Sequence, residues 1–181
     1  MTLRYDSRSR ASTYTQSWVS NVDPDFGAFE SIATTTLSTA AATVTFSSIP
    51  QTYKHLQVRA LCKTSAGTSL TATINSASTL KTHYLYGQGS AASAGVGATN
   101  FLANANTTYF SGLVMDILDY TNTNKYRVIR SLGGYDANGS GELALVSGLY
   151  NTTAAATSIE FAMTSGNIAQ YSSFALYGIK G

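Results

Sequence analysis

The chain has 181 residues, of which only 11% are charged, with a formal net charge of +2, one cysteine and two prolines. That length supports one domain with a self-sufficient core. The near-neutral balance excludes an electrostatic nucleic-acid binder, which needs a clustered basic face. The lone cysteine excludes an intrachain disulfide framework, and no segment approaches the roughly 18 apolar residues of a membrane span. Serine and threonine fill about a quarter of the positions. Threonine's branched Cβ suits a pleated surface and serine suits turns, so the composition predicts an all-β fold whose surface meets water through hydroxyls.

In chain order, residues 1–28 come first and show no period. Arg4, Arg8 and Arg10 alternate with hydroxyl residues, and Tyr5, Tyr14 and Trp18 are spaced aromatics. Such a segment gains too little from burial to order by itself. It holds the side chains that dominate interface energetics. We read it as an extended arm that attaches to a protein partner through Arg4, Tyr5, Arg8, Arg10, Tyr14 and Trp18. The start, MTLRYDSRSR, lacks the apolar run of a signal peptide, which predicts synthesis in a cytosol-like compartment.

From Phe29 onward, short runs of period two alternate with turn residues. In YKHLQVRALCK, Leu56, Val58, Ala60 and Cys62 point one way, while His55, Gln57, Arg59 and Lys63 point the other, the pattern of a strand with one wet face. Cys62 reads as a small buried hydrophobe. About ten such runs predict an antiparallel β-sandwich, jelly-roll-like, over 29–181. One long aperiodic insertion, Gly87 to Thr108, reads as a loop. Around it, Phe101, Asn104, Asn106 and Tyr109 offer ring faces and amides of the kind that hold a saccharide.

Catalytic constellations are missing. His55 and His83 have no second ligand at metal spacing, serines lack a nucleophile-elbow context, and the nine acids offer no evident glycosidase pair. The sequence therefore predicts a protein that is not an enzyme and uses no metal or cofactor. One stretch tests this: GGYDANGSGELALV places oxygen side chains at alternate positions like a calcium loop, but counting from Asp136 the closing glutamate position is Ser147. Asn-Gly between two strand-like runs favours a hairpin tip turning at about Asn138 to Gly141.

Four segments, FESIATTTL, VTFSSIPQTYKHLQVRA, DILDYTNTNKYRVIRSLGGYDANGSGE and YSSFALYGIKG, together resemble small virion-associated proteins of tailed bacteriophages. The resemblance implies a β-sandwich module on the surface of a phage particle, synthesised in the host cytoplasm. It transfers no site residue. A head decoration, cement or adaptor protein fits a chain of this length better than the runner-up, a tail-fibre or receptor-binding module for a host surface glycan. Expected partners are other virion proteins of the capsid or tail, further copies of the chain in a homotrimer, and for the runner-up a host glycan. THYLYG and FALYGIKG are the candidate subunit contacts. Neither nucleic acid nor membrane is expected as a partner.

Overall fold

The computed structural model describes residues 28–66, 69–77, 80–97, 100–102 and 105–181. Among these the regular elements are twelve β-strands: β1 (Phe29–Thr36), β2 (Thr43–Phe46), β3 (His55–Cys62), β4 (Leu70–Ile74), β5 (Leu80–Gln88), β6 (Ala91–Gly97), β7 (Asn100–Leu102), β8 (Ser111–Ile117), β9 (Arg127–Asp136), β10 (Gly141–Tyr150), β11 (Ile159–Met163) and β12 (Ser173–Ile179). They form two antiparallel sheets. The larger runs β1-β12-β3-β8-β9-β10-β5-β6, and the smaller runs β2-β11-β4-β7. The expected all-β sandwich is the observed architecture.

All ten runs read from the alternation are strands. β6 and β7 are additional, and both lie inside the insertion expected to be a loop. β6 pairs with β5 across the two-residue turn Gly89-Ser90. Its sequence, AASAGVG, escapes a hydrophobicity pattern because small side chains hardly differ between a wet and a dry face.

The core lies between the sheets. The large sheet contributes Leu56, Val58, Met115, Ile117, Ile129, Phe174 and Leu176. The small sheet contributes Val44, Phe46, Leu70, Ile74, Ile159 and Phe161. Phe161 of β11 and Phe174 of β12 meet with ring centres 5.2 Å apart, the tilted contact that aromatic quadrupoles favour. Cys62 is fully buried within this core.

The stretch GGYDANGSGELALV is resolved by its strand pairing. β9 and β10 pair without a break from Tyr150↔Arg127 to Gly141↔Asp136. Ala137 N donates to Ser140 O, and the two residues between them, Asn138 and Gly139, have φ of 56° and 102°. Positive φ at both central positions is the requirement of the tight turn whose twist matches paired strands. The Asp136 carboxylate accepts from Asn138 N at 2.7 Å, so it is a turn-forming group. The stretch is a hairpin tip.

Candidate functional site

The two sheets differ on the faces they turn outward. The small sheet presents Thr43, Thr45, Glu160, Thr71 and Thr73, with Thr45 Oγ1 donating to the Glu160 carboxylate. This is the hydroxyl surface the composition predicts. The large sheet does not follow it.

Strand pairing arranges the outer face of the large sheet in cross-strand rows. In one row, Val114 of β8, Leu132 of β9, Leu145 of β10 and Leu85 of β5 are direct neighbours. They are exposed by 41%, 49%, 53% and 53%. Ala94 of β6 continues the row on one side and Arg59 of β3 on the other. The next row toward the hairpin tip reads Leu61, Gly112, Gly134, Leu143, Gly87 and Ala92. On the opposite side of the leucine row lie Gln57, Asp116, Arg130, Ser147, His83 and Val96. Isolated surface leucines need no explanation, but a contiguous band across four strands is the kind of surface through which proteins associate.

The glycine-bearing row forms a depression. Gly112 and Gly134 lie between the exposed side chains of Leu61 and Leu143, on the floor of a groove of about 780 Å³ that Val114, Leu132 and Tyr135 also line. A Cβ built at Gly134 would come 2.1 Å from Glu142 O, so no other residue fits there. At Gly112 a Cβ would meet nothing within 4 Å. The floor is therefore set by backbone, one side-chain layer below Leu143.

A polar rail borders the apolar band. The Arg59 guanidinium lies 5.4 Å from the centre of the Tyr177 ring and 5.9 Å from that of Phe29, within the range of cation–π attraction. Arg59 Nε donates to Gln57 Oε1 at 2.9 Å, and Gln57 Nε2 donates to Asp116 Oδ1 at 2.8 Å. These bonds hold the long side chains in place before any partner arrives, which reduces the ordering entropy that binding must overcome.

The side chains singled out from the sequence fall elsewhere or outside. Arg4, Tyr5, Arg8, Arg10, Tyr14 and Trp18 lie outside the described residues, as does Asn104. Phe101 belongs to β7, a strand of the small sheet. Asn106 Oδ1 accepts from Thr108 N and Tyr109 N at 2.6 and 2.9 Å, so this amide oxygen organises its own turn. Tyr109 is exposed. Among the described residues no three His, Cys, Asp or Glu side chains gather as metal ligands. His55 Nδ1 instead accepts from Asp119 N at 2.9 Å. The face residues Leu85, Leu132, Leu143 and Leu145 were missed because alternation alone does not tell which face of a strand is covered.

The two proposed subunit contacts divide. In THYLYG, Tyr84 and Tyr86 are half-buried, with ring centres 5.8 Å apart, while His83 and Leu85 belong to the outer face. In FALYGIKG, Phe174 and Leu176 are core residues, and Tyr177 packs under Arg59. The chain matches no family model and no curated protein.

Proposed function

We propose that the protein is a non-enzymatic structural module of a phage particle, a head decoration or adaptor protein. The observation that carries its assembly role is the outer face of the large sheet, where an apolar band on a rigid platform has prearranged polar neighbours. Residues 1–28, with their arginines and aromatics, are the proposed arm that attaches the module to a capsid or tail protein. The placement on a phage particle rests on the resemblance of the four segments.

The winding supports this reading by analogy. Setting aside the β5-β6 and β9-β10 hairpins, the strands fall into sheets ordered 1-12-3-8 and 2-11-4-7. We read this as a jelly roll, a fold frequent in viral shells and in lectins, and fold alone does not specify function.

The test is immunogold labelling of purified particles of the phage that encodes the chain. Label over the head or the head–tail junction is expected. Label confined to fibre tips transfers the assignment to receptor binding, and unlabelled particles overturn it. Deleting residues 1–28 is expected to leave a folded sandwich that no longer joins particles.

A further inference from the structure

We propose that the outer face of the large sheet pairs with the same face of a second copy, across a two-fold axis that runs along the strands between β9 and β10. The inference rests on the reading of this face as an assembly surface and names its occupant.

The face is complementary to itself. A two-fold interface applies one patch to itself, so each protrusion needs a recess at the position the axis assigns to it. An axis in the interface plane, parallel to the strands and midway between β9 and β10, exchanges β9 with β10, β8 with β5, and β3 with β6. Leu143 and Gly134 are direct partners across that line. Each Leu143, 60% exposed, is thereby carried over the other copy's Gly134, where backbone forbids any side chain. The knob and its recess lie side by side on one chain, and the rotation superimposes one on the other.

The remaining rows agree with the same axis. Leu132 meets Leu145, and Val114 meets Leu85, so the apolar band covers itself. Gly112 meets Gly87, which leaves room on the outer side of each inserted Leu143, while the two Leu143 side chains flank one another across the axis. In the polar row Asp116 meets His83, an acceptor against an imidazole. Arg130 meets Ser147, and Arg59 meets Ala94. No like charges oppose one another among these groups, which is the condition a charged rim must satisfy. The roughly 30° between strand directions in aligned sheet packing is met by tilting the axis by about half that angle.

The size is adequate. Six strands at about 4.8 Å spacing, over about 26 Å of length, give roughly 750 Å² of covered face per copy, close to the roughly 800 Å² per partner of a standard interface. The overlap leaves β1 and β12 beyond the edge of the partner at each end. Ala28, where the chain leads into β1, stays clear of the contact.

Sedimentation velocity and light scattering of the full chain at micromolar concentration test the pairing. A mass of twice 19.1 kDa is expected. Leu145→Glu is expected to raise the dimer dissociation constant by at least about 100-fold, because symmetry repeats the lesion in both copies. Its circular dichroism should stay unchanged, since the side chain touches no core. Gly112→Leu, accommodated by the single chain because a Cβ there meets nothing, is expected to wedge the faces apart and give a monomer without adding charge. A monomeric or trimeric wild-type chain overturns the proposal, as does a dimer that survives both substitutions. Particle labelling separates this inference from the functional reading: a monomer that still joins particles sinks only the dimer, and a dimer absent from particles sinks only the virion role.

Discussion

The guanidinium carbon of Arg127 lies 5.7 Å from the centre of the Tyr150 ring, and both side chains are almost completely buried. Four carbonyl oxygens surround the cation: Nε donates to Tyr120 O, Nη1 to Thr152 O, and Nη2 to Asn122 O and Thr153 O, at 2.5–3.0 Å. Two loops, one following β8 and the other following β10, are thus tied to one buried fork. The planar guanidinium suits this because it presents five donors in fixed directions. Tyr150 completes the tie by donating from its hydroxyl to Ile74 O of the small sheet at 2.9 Å.

Replacing Arg127 by Met is expected to destabilise the fold by about 2–4 kcal/mol, since it removes the donors of one buried and three partly buried hydrogen bonds to loop carbonyls. Arg127→Lys should recover only part of this, because a point charge on a flexible stem does not span four acceptors. Urea unfolding of the three proteins measures the series. Equal stability of the Met variant and wild type would contradict the role assigned to the fork.

Burial pushes the Tyr150 and Tyr120 hydroxyls above the ordinary tyrosine range, and Tyr53 is raised chiefly by its hydrogen bond to Glu30. An acid whose folded pKa is raised favours the folded state while protonated. That contribution is complete below about pH 10, the unfolded tyrosine value, and disappears as pH rises through the higher folded values. Stability should therefore fall above about pH 10. Ultraviolet titration should show late-ionising tyrosines, whose number drops by one in Tyr150→Phe.

Asp119 has the opposite sign. Its carboxylate is bonded by Lys125 and Lys54, and these contacts lower its pKa to about 2. The associated stability is present above the unfolded value of about 4 and lost as pH falls toward 2. Both lysines are more than half exposed, so the contribution is below about 1 kcal/mol. Asp119→Asn isolates the charge, because asparagine also accepts the left-handed backbone at φ 48°. Acid melting of this variant should be flatter between pH 4 and 2 than that of wild type.

Desolvation raises the Cys62 thiol to about 12. The thiolate is the reactive form, so a chromogenic disulfide reagent should leave the native protein unmodified and label one thiol per chain after unfolding. Rapid labelling of the native chain would refute the buried assignment.

At the hairpin tip, Gly139→Val is expected to cost about 1–2 kcal/mol because a β-branched residue resists φ of 102°. A Cβ there meets nothing within 4 Å, so the cost is conformational. Asp136→Asn should cost less, since an amide oxygen also accepts from Asn138 N. Chelating calcium should leave the melting temperature unchanged; a drop that Asp136→Asn abolishes would point to a bound ion.

Local chemistry alone determined much of this protein. Period two located ten strands, Asn138-Gly139 marked a turn, and the alternation in HLQVRALC placed Cys62 inside, because these features depend on neighbours along the chain. Only tertiary structure decided which face of a strand is dry. In GELALVSGLY the leucines suggest a buried face, yet Leu143, Leu145 and Leu149 point outward, while Glu142, Ala144, Val146 and Tyr150 point inward. The reason is pairing: the register with β9 puts these residues on the side of Arg127 and Ile129, where β7 packs against both strands. Strand β6 escaped notice because alanine, glycine and serine carry no alternation. Arg127 gave no signal, since its acceptors are backbone carbonyls that every residue possesses. The apolar outer band is a property of cross-strand rows, which exist only once β5 lies beside β10 in the sheet with β8 and β9.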